Sequence, residues 1–480
     1  MPSAGACYVP DPDTFDFVIA ANRLPVDQTT DDAGNVTFSR SPGGLVTAME
    51  SVMRGREGAA WIGWAGETGE PPAPFEDSEM YLVPIGLSDD EHVDYYEGFS
   101  NDSIWPLYHD VIVPATFKRR WRTAYERVNQ RFAQKIADLA APEATVWVHD
   151  YQLQLAPAMV RELRPDVRIG WFNHIPFPPV ELFMQLPGRE DLLWGLLGAD
   201  FLGFQRAADA ENFLRSCRRL LHVHVRGDVV QHGDGRTTRA AAVPISIDSH
   251  DVYELAHSDK VRERAAQIRK DLGNPQKLLL GVDRLDYTKG IRHRLKAYGE
   301  LLAEKTLDPA DVTLVQVATP SRERLQAYRT LRGQVEQTVG QINGEYSPIG
   351  SPAVTYMHRS FPREEMIALF VAADVALVTP LRDGMNLVAK EYVTCCADDG
   401  ALVLSEFTGA ATELARGSFL CNPHDIRSLK KTIVAAIDAP EKERRAQMKR
   451  LRKVVLDNDV QKWAGSFLDA LKAAPERPAS

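Results

Sequence analysis

Short apolar runs alternate with amphipathic segments along most of the chain. Runs long enough for a buried strand occur at 16–20, 60–64, 80–83, 145–148, 167–172 and 201–204. The segments between them have helical spacing, and the clearest one places six large apolar residues on one face: Trp121, Tyr125, Val128, Phe132, Ile136 and Leu139. Because strands alternate with helices, we predict a parallel, doubly wound sheet.

A second series of the same kind follows. Its predicted strands are 278–282, 312–317, 354–357, 375–378 and 402–404. Segments 223–230 and 239–243 flank a glycine-containing turn and predict a hairpin that extends the first series. A chain of 480 residues is too long for one core. We therefore expect an α/β fold of two tandem Rossmann-like domains, 1–246 and 247–455, with a last helical segment, 456–480, that packs back on the first domain.

The stretch from Thr379 to Glu391 organises the predicted second domain. It follows the strand 375–378, and apolar positions at three- and four-residue spacing then indicate a helix. Asp383 is the predicted N-cap, Gly384 would let a ligand approach the backbone, and Glu391 should face inward. A helix start suits a phosphate or a sugar hydroxyl, so we interpret this stretch as a donor-binding loop, although many strand–glycine–helix junctions are only turns.

Polar residues also follow strands of the first series. Arg23 follows the first strand, and Asp150 and His174 follow two later ones. Gly43-Gly44 opens a predicted helix, where it would admit a phosphate, but a glycine pair is more often a turn. A single histidine is usually a core residue, yet His174 stands where a ligand is expected. Ligands bind beyond the carboxyl ends of parallel strands, so we expect the active site in a cleft between the two domains.

Three basic residues follow strand ends in the second series or close to them. Arg284 and Lys289 would give a diphosphate a rigid fork and a mobile point charge, and Arg322 follows the next strand. The alternative is that Arg284 and Lys289 pair with Asp283 and Asp286 as a solvated charge cluster. Together with Arg23, the post-strand arginines favour anionic ligands.

Composition narrows the class of protein. A hydrophobic content of 44%, a charged content of 25% and a net charge of −10 indicate a globular chain without a general nucleic-acid surface. Five cysteines without Cys-x-x-Cys spacing indicate reduced thiols in a cytosolic compartment. Residues 1–14 lack the pattern of a signal peptide, and no apolar run approaches the ~18 residues of a membrane span. We expect a cytoplasmic protein whose 27–40 segment is a mobile polar loop and whose tail, 475–480, is frayed.

Several long motifs carry a family resemblance. They are WIGWAGETG at 61–69, FSN at 99–101, WP at 105–106, HDY at 149–151, HIPFP at 174–178, RLDYTKG at 284–290 and TPLRDGMNLVAKE at 379–391. With these motifs the chain resembles the α,α-trehalose-phosphate synthases from about Val18 to about Trp463. That family consists of retaining glycosyltransferases of the two-Rossmann-domain (GT-B) type, which join glucose from UDP-glucose to glucose 6-phosphate. The resemblance implies the same reaction here, the first step of trehalose biosynthesis.

The resemblance also implies roles for individual residues. The acceptor, glucose 6-phosphate, would be bound by Arg23, Tyr96, Trp105, Asp150 and Arg322. The donor, UDP-glucose, would be bound by Gly43, Gly44, His174, Arg284, Lys289, Phe361, Asp383, Gly384, Met385, Asn386, Leu387, Val388 and Glu391. The residues expected to serve catalysis are Asp150, His174, Arg284, Lys289 and Asp383.

The expected mechanism needs no cofactor and no metal ion. Metal-dependent glycosyltransferases usually carry Asp-x-Asp at a strand end, and the only match here, at 11–13, precedes the first predicted strand. Arg284 and Lys289 would neutralise the departing UDP instead. No pair of carboxylates suggests a double displacement, so we expect front-face attack with retention. Similarity to the family further implies a homo-oligomer, with a tetramer as one form, and no nucleic-acid or membrane partner; ADP- or GDP-glucose remain alternative donors.

Three other functions stay open at this point. A glycogen synthase would share the donor site but would not need Arg23 and Arg322 for an acceptor phosphate. A glycogen phosphorylase is disfavoured because no lysine is evidently placed for pyridoxal phosphate. A non-catalytic sugar-phosphate sensor is the alternative outside enzymes, although such relatives tend to lose donor-site charges that this chain keeps.

Overall fold

Two parallel β-sheets form the centres of two separate units of the chain. The structure, a computed structural model, describes residues 15–31, 36–41, 44–53 and 56–474. The first unit comprises the described residues up to Tyr108, Pro114–Val243 and those from Ala464 onward. The second comprises His109–Val113 and Pro244–Trp463. The predicted domains differ from these units in three places: they assigned 109–113 and 244–246 to the first domain, and 456–463 to the segment that packs back on it.

The first unit is built on a ten-stranded sheet in the order β10-β11-β12-β9-β8-β7-β1-β4-β6-β5. Its seven central strands, from β12 to β6, pair in parallel, and the edge pairs are antiparallel. The strands are β1 (Phe15–Arg23), β4 (Ala59–Trp64), β5 (Phe75–Asp77), β6 (Met80–Pro84), β7 (Ala140–His149), β8 (Arg168–Phe172), β9 (Phe201–Phe204), β10 (His224–Arg226), β11 (Val229–Gln231) and β12 (Thr237–Ala242).

Helices cover this sheet, and their apolar faces supply its core. The predicted helix with six apolar positions is α4, in which Trp121, Tyr125, Val128, Phe132 and Ile136 are buried. The helices of the unit are α1 (Gly44–Met53), α2 (Asp89–Glu91), α3 (Trp105–Tyr108), α4 (Arg119–Leu139), α5 (Ala156–Leu163), α6 (Val180–Phe183), α7 (Arg189–Leu196) and α8 (Ala207–Ser216), with π-helical turns at His92–Ile104 and Cys217–Leu221 and a 3₁₀ turn at Tyr151–Leu153.

Two predictions for the first unit are wrong in detail. The 27–40 segment contains most of an antiparallel pair, β2 (Val26–Thr30) and β3 (Val36–Arg40), in which β-branched valines and threonines support a ladder although β3 is exposed. The predicted strand 223–230 is two strands, β10 and β11, because Gly227 adopts a positive φ of 61° and turns the chain between them. The hairpin predicted at 232–235 does join β11 to β12.

The second unit has a six-stranded, fully parallel sheet in the order β15-β14-β13-β16-β17-β18. Its strands are β13 (Lys277–Arg284), β14 (Val312–Thr319), β15 (Val354–Met357), β16 (Val375–Val378), β17 (Ala401–Ser405) and β18 (Phe419–Cys421). Its helices are α9 (Ser249–His257), α10 (Asp259–Asp271), α11 (Ile291–Ala303), α12 (Gln326–Tyr346), α13 (Arg363–Ala372), α14 (Leu387–Cys395), α15 (Ala411–Leu414), α16 (Ile426–Asp438) and α17 (Glu441–Asp457), with 3₁₀ turns at Tyr287–Lys289 and Ala415–Gly417. The α/β fold with large parallel sheets is confirmed.

The last helix, α18 (Val460–Lys472), contains the boundary between the two units. Within the first unit, the Phe467 ring stacks on the Trp147 ring with centroids 4.4 Å apart. Gly170 and Gly203 leave room for Phe467, since an added Cβ at either would come within 2.7 Å of its ring. This part of α18 is therefore built into the core of the first unit.

A further feature of the fold is the state of its cysteines. The described cysteines, Cys217, Cys395, Cys396 and Cys421, are buried free thiols, while Cys7 lies outside the described residues. Burial raises the pKa of Cys396 and of Cys421 to about 12, so neither is a reactive thiolate at neutral pH.

In the described part of the chain, no helix has both the length and the apolar character to cross a bilayer. Segments 1–14 and 475–480, with the Asp-x-Asp match at 11–13, lie outside the described residues.

Candidate active site

Arg23 lies at the carboxyl end of β1, where the neighbouring strand β4 ends in Trp64. The Arg23 guanidinium sits over the Trp64 ring, 4.6 Å from its centroid, and pairs with Asp27. The Tyr96 ring also contacts this tryptophan, with ring centroids 6.1 Å apart. Trp64 therefore brings the two predicted phosphate-binding residues, Arg23 and Tyr96, to one place, with the guanidinium fork about one-third exposed.

The π-helical segment His92–Ile104 fixes Tyr96 relative to the sheet. The Tyr95 hydroxyl donates to Asn22 Oδ1 at 2.7 Å, immediately before Arg23. The Tyr151 hydroxyl donates to Asn101 Oδ1 at 2.7 Å, immediately after Asp150. Two buried hydrogen bonds thus attach this segment to the ends of β1 and β7, which are adjacent strands.

Asp150 follows β7 in an unusual backbone conformation. Its φ is 73°, which a non-glycine residue adopts only when its surroundings hold it. The Asp150 carbonyl accepts a bond from the Trp171 indole at 3.2 Å, and its carboxylate accepts the His174 backbone N–H at 3.1 Å. The strained turn therefore places the Asp150 carboxylate beside His174, as the sequence predicted for two neighbouring strand ends.

His174 has a partner that the sequence analysis did not identify. The ring nitrogens His149 Nδ1 and His174 Nε2 are 3.1 Å apart. Desolvation lowers the pKa of His174 to about 3 and that of His149 well below its usual value. Both rings are therefore neutral near pH 7, so His174 can bond a sugar hydroxyl but carries no charge towards a phosphate.

Trp105 begins the short helix α3. Its ring packs against the Tyr151 ring, with centroids 5.7 Å apart, and only 4% of the residue is exposed. Because Tyr151 follows Asp150 directly, Trp105 lies near the same strand end. The first unit thus groups five of the predicted residues at the carboxyl ends of adjacent strands: Arg23, Tyr96, Trp105, Asp150 and His174.

The second unit joins two predicted donor residues directly. Lys289 Nζ lies 2.6 Å from Asp383 Oδ2, and the Asn386 amide donates to the same oxygen at 3.1 Å. Burial raises the pKa of Asp383, but the charge of Lys289 outweighs this and the net shift is downward. The pair is therefore ionised. Arg284, at the end of β13, is exposed and contributes positive charge to the same edge of the sheet.

Asp383 is not the N-cap of the following helix, which corrects the prediction. Asn386 caps α14: its side-chain oxygen accepts the Ala389 N–H at 3.1 Å, and its φ is 83°. Asp383 and Asn386 are both good capping residues by type, and the bond of Asp383 to Lys289 decides between them.

A glycine is required at 409, where an added Cβ would lie 1.8 Å from the Gly384 carbonyl oxygen.

The alternative of a solvated charge cluster does not hold. Asp283 is buried and pairs with the fully buried Arg294 at 2.7 Å, while Lys289 pairs with Asp383. Asp286 has no exposed surface and accepts bonds from the Thr288 N–H and hydroxyl. These carboxylates are buried rather than solvated, and the charges of Arg284 and Lys289 both act on Asp286.

Arg322 is placed in the second unit, whereas the other predicted acceptor residues belong to the first. Its Nη1 donates to the Tyr328 hydroxyl at 2.6 Å and lies 3.4 Å from Asp286 Oδ2. Tyr328 was not identified from the sequence, because 42 residues separate it from Asp286.

The remaining predicted donor residues are divided between the units: Gly44 belongs to the first unit, and Phe361 and the residues from 384 to 391 belong to the second. Burial raises the pKa of Glu391, partly offset by Arg363, so this carboxyl lies in a low-dielectric position on α14. The Phe361 ring carries the Arg359 guanidinium 4.6 Å from its centroid. Met385 is buried, Leu387 and Val388 open α14, Gly44 opens α1, and Gly43 lies outside the described residues.

Two contacts beside the donor loop were missed by the sequence analysis. Arg382 forms an ion pair with Asp110 at 3.2 Å, which explains why the segment His109–Val113 belongs to the second unit. Lys390 is buried and pairs with Glu413 at 2.7 Å. Sequence periodicity carries no signal for either pair.

A cavity of about 400 Å³ opens elsewhere in the second unit, along α17. Arg445, Arg452 and Lys453 line it, but each is paired with an acidic residue. Within the described residues, no cluster of three or more histidine, cysteine or acidic side chains is arranged for a metal ion.

Comparison with known proteins gives one consistent result. The model of glycosyltransferase family 20 matches residues 16–473. A trehalose-6-phosphate synthase of Mycobacterium sp. (strain JLS) is 55% identical over 466 residues, covering 95% of this chain and 96% of its own. An α,α-trehalose-phosphate synthase (UDP-forming) from Burkholderia xenovorans, solved with glucose-6-phosphate, aligns with a TM-score of 0.87 at 33% identity over 95% of this chain and 100% of its own. An E. coli structure with UDP-2-fluoro glucose aligns equally well, with a TM-score of 0.87 at 33% identity over 96% of this chain and 100% of its own.

Proposed function

The chain belongs to glycosyltransferase family 20, and from this premise we propose that it transfers glucose from UDP-glucose to glucose 6-phosphate. The products are α,α-trehalose 6-phosphate and UDP, and the anomeric configuration of the donor is retained. The observation that carries the proposal is that the chain keeps both sets of polar strand-end residues, each in an arrangement that suits its substrate.

The first unit has the chemistry of an acceptor site. Arg23 offers a planar fork to a phosphate, stacked on Trp64 with Tyr96 beside it. The Asp150 carboxylate can accept hydrogen bonds from hydroxyls of the acceptor sugar, and the neutral His174 ring beside it can bond a hydroxyl of the donor glucose. An unphosphorylated acceptor would leave Arg23 without its anion, which disfavours a glycogen-synthase-like activity.

The second unit has the chemistry of a donor site. Arg284 and Lys289 bring positive charge to the diphosphate, and Asp383 holds Lys289 in place through their 2.6 Å pair. Because charge develops on the diphosphate as UDP departs, these cations stabilise the transition state more than the ground state. In this proposal they perform the charge neutralisation that a metal ion supplies in other transferases.

The reaction is front-face displacement. The acceptor anomeric hydroxyl attacks the anomeric carbon on the face that UDP is leaving, the bond from that carbon to the phosphate oxygen breaks, and the same oxygen takes the proton of the hydroxyl. Asp150 and His174 position the sugars. A glucosyl adduct trapped on Asp150 would contradict this assignment.

The test is release of UDP by the purified chain from UDP-glucose with no acceptor, with glucose and with glucose 6-phosphate. The proposal predicts rapid release only with glucose 6-phosphate. Equal rates with glucose would support a different transferase. Tight binding of either sugar without any product would support the sensor function instead.

A further inference from the structure

The phosphate-binding Arg322 is held by two buried residues. Tyr328 is 2% exposed and Asp286 is 0% exposed. The Arg322 backbone has a φ of 49°, a conformation that a non-glycine residue keeps only with support from its surroundings. The orientation of this guanidinium is therefore set by buried neighbours rather than by solvent.

One hydroxyl stands between the guanidinium and the carboxylate. The Tyr328 hydroxyl accepts a bond from Arg322 Nη1 at 2.6 Å and donates to Asp286 Oδ2 at 3.0 Å. Arg322 Nη1 also donates directly to Asp286 Oδ2, in a longer bond of 3.4 Å, and the Arg322 side chain is 5% exposed. Without the hydroxyl, the guanidinium would be free to close on the carboxylate and form a tighter ion pair.

Such closure would be strongly driven, because Asp286 is ionised. Burial raises its pKa, but the charges of Arg322, Arg284 and Lys289 outweigh that effect and bring it to about 2. An arginine paired tightly with this carboxylate has less charge and fewer N–H groups for a substrate phosphate. The position of the hydroxyl thus bears directly on how well Arg322 binds an anion.

We propose that Tyr328 is a positioning residue that gives the enzyme its preference for a phosphorylated acceptor. Its hydroxyl takes the short bond from Arg322 and keeps the direct bond to Asp286 long, which sets the orientation of the guanidinium towards the phosphate of the acceptor sugar. This inference rests on the proposed function, and it adds a specificity determinant outside the residues that bind substrate.

The test compares Tyr328→Phe with the wild-type protein in steady-state kinetics. We expect the KM for glucose 6-phosphate to rise about tenfold, the effect of a hydrogen bond to a charged group, while the KM for UDP-glucose stays within about twofold. The matched control is Tyr298→Phe. Tyr298 is another buried tyrosine of the second unit, and its hydroxyl bonds only the Val312 and Ala353 carbonyls among the contacts described here. The Tyr298→Phe variant should be less stable than wild type, with unchanged KM values for glucose 6-phosphate and UDP-glucose.

A double-mutant cycle separates positioning from a general structural role. In an Arg322→Ala background, adding Tyr328→Phe should change the KM for glucose 6-phosphate by less than about twofold, because the group that Tyr328 positions is gone. If Tyr328→Phe raised the KM for glucose 6-phosphate by the same factor with and without Arg322, the inference would be overturned. An unchanged KM in the Tyr328→Phe single variant would also overturn it. If wild type itself showed no dependence on glucose 6-phosphate, the proposed function would fail instead.

A second variant covers the case in which Tyr328→Phe does not fold. p-Aminophenylalanine at position 328 keeps a donor towards Asp286 but accepts hydrogen bonds poorly, so it supports the fold and weakens the bond from Arg322. The same rise in the KM for glucose 6-phosphate is expected, and a wild-type KM would again overturn the inference.

Discussion

Lys289 and Asp383 form a 2.6 Å ion pair that joins two strand-end loops lying 94 residues apart in the sequence. Lys289 follows β13 and Asp383 follows β16, which are adjacent strands of the parallel sheet. The pair fixes the cation at the edge where the donor diphosphate is expected. Asp383 therefore serves the site by holding Lys289, not by capping α14.

Removing the neighbouring cation should slow the chemical step. Arg284→Ala is expected to lower kcat by about 10²–10³, or about 2.7–4 kcal/mol in the barrier, as for the loss of a preorganised group that stabilises developing charge. Because Arg284 is exposed but is one of three charges that keep the buried Asp286 ionised, its removal should lower the unfolding midpoint only slightly.

The matched control is Lys260→Ala, which removes an exposed cation of the same unit that pairs with Glu364. Its kcat should equal that of wild type. Wild-type turnover by Arg284→Ala would refute its role in stabilising the leaving group.

Arg23 should act on the acceptor alone. Arg23→Ala is expected to raise the KM for glucose 6-phosphate about 10- to 100-fold, the value of hydrogen bonds to a charged group, with no change in the KM for UDP-glucose. Arg23→Lys should recover only part of the loss, because a lysine lacks the planar fork that stacks on Trp64.

Arg56→Ala is the control, since Arg56 also stacks on a ring, that of Phe17, at 4.2 Å. A parallel loss of affinity for both substrates in Arg23→Ala would mean that the residue supports the fold and does not bind the acceptor.

The histidine pair predicts how stability depends on pH. The folded-state pKa values of His149 and His174 are depressed, whereas in the unfolded chain both titrate near ~6.5. The unfolded state therefore binds more protons below that pH. The contribution of the two neutral histidines to the free energy of unfolding is fully present above pH ~6.5. It falls towards pH 3 by about 1.4 kcal/mol per pH unit for each histidine.

The measurement is the unfolding midpoint between pH 7.5 and 5. His149→Asn should lower the midpoint at pH 7.5 but flatten its pH dependence, whereas replacement of the exposed His250 should leave that dependence unchanged. A His149→Asn curve parallel to that of wild type would show that this pair is not the source.

The donor loop should not tolerate a side chain at position 409. Gly409→Ala would place a Cβ 1.8 Å from the Gly384 carbonyl oxygen, which only a shift of the loop could relieve. We expect a lower unfolding midpoint together with weaker UDP-glucose binding. Gly340→Ala on α12 meets no atom within 4 Å and should stabilise the helix by about 0.5–1 kcal/mol. Wild-type affinity for UDP-glucose in Gly409→Ala would mean that this loop does not hold the donor.

The strand ends could be predicted from sequence because buried parallel strands are nearly continuous apolar runs, and the polar residue after each run stands out. Arg23, Asp150 and Arg284 were found in this way. The β2–β3 pair was missed because β3 is exposed and polar residues interrupt the apolar pattern by which a buried strand is identified.

What the sequence could not predict is which polar residues pair. Asp383 and Asn386 are equivalent as capping residues, and only the folded chain brings Lys289 to one of them. Likewise Tyr328 bonds Asp286 across 42 residues of sequence, and His149 bonds His174 across 25. The missing information is tertiary, and local propensity does not contain it.

The most direct measurement is a proton NMR time course of UDP-glucose and glucose 6-phosphate with the purified chain in excess EDTA. The account predicts accumulation of a disaccharide phosphate in which both anomeric protons show the small coupling of α linkages, at the same rate as with added magnesium. A β-configured product would contradict retention, and loss of activity in EDTA that magnesium restores would contradict the assignment of charge neutralisation to Arg284 and Lys289.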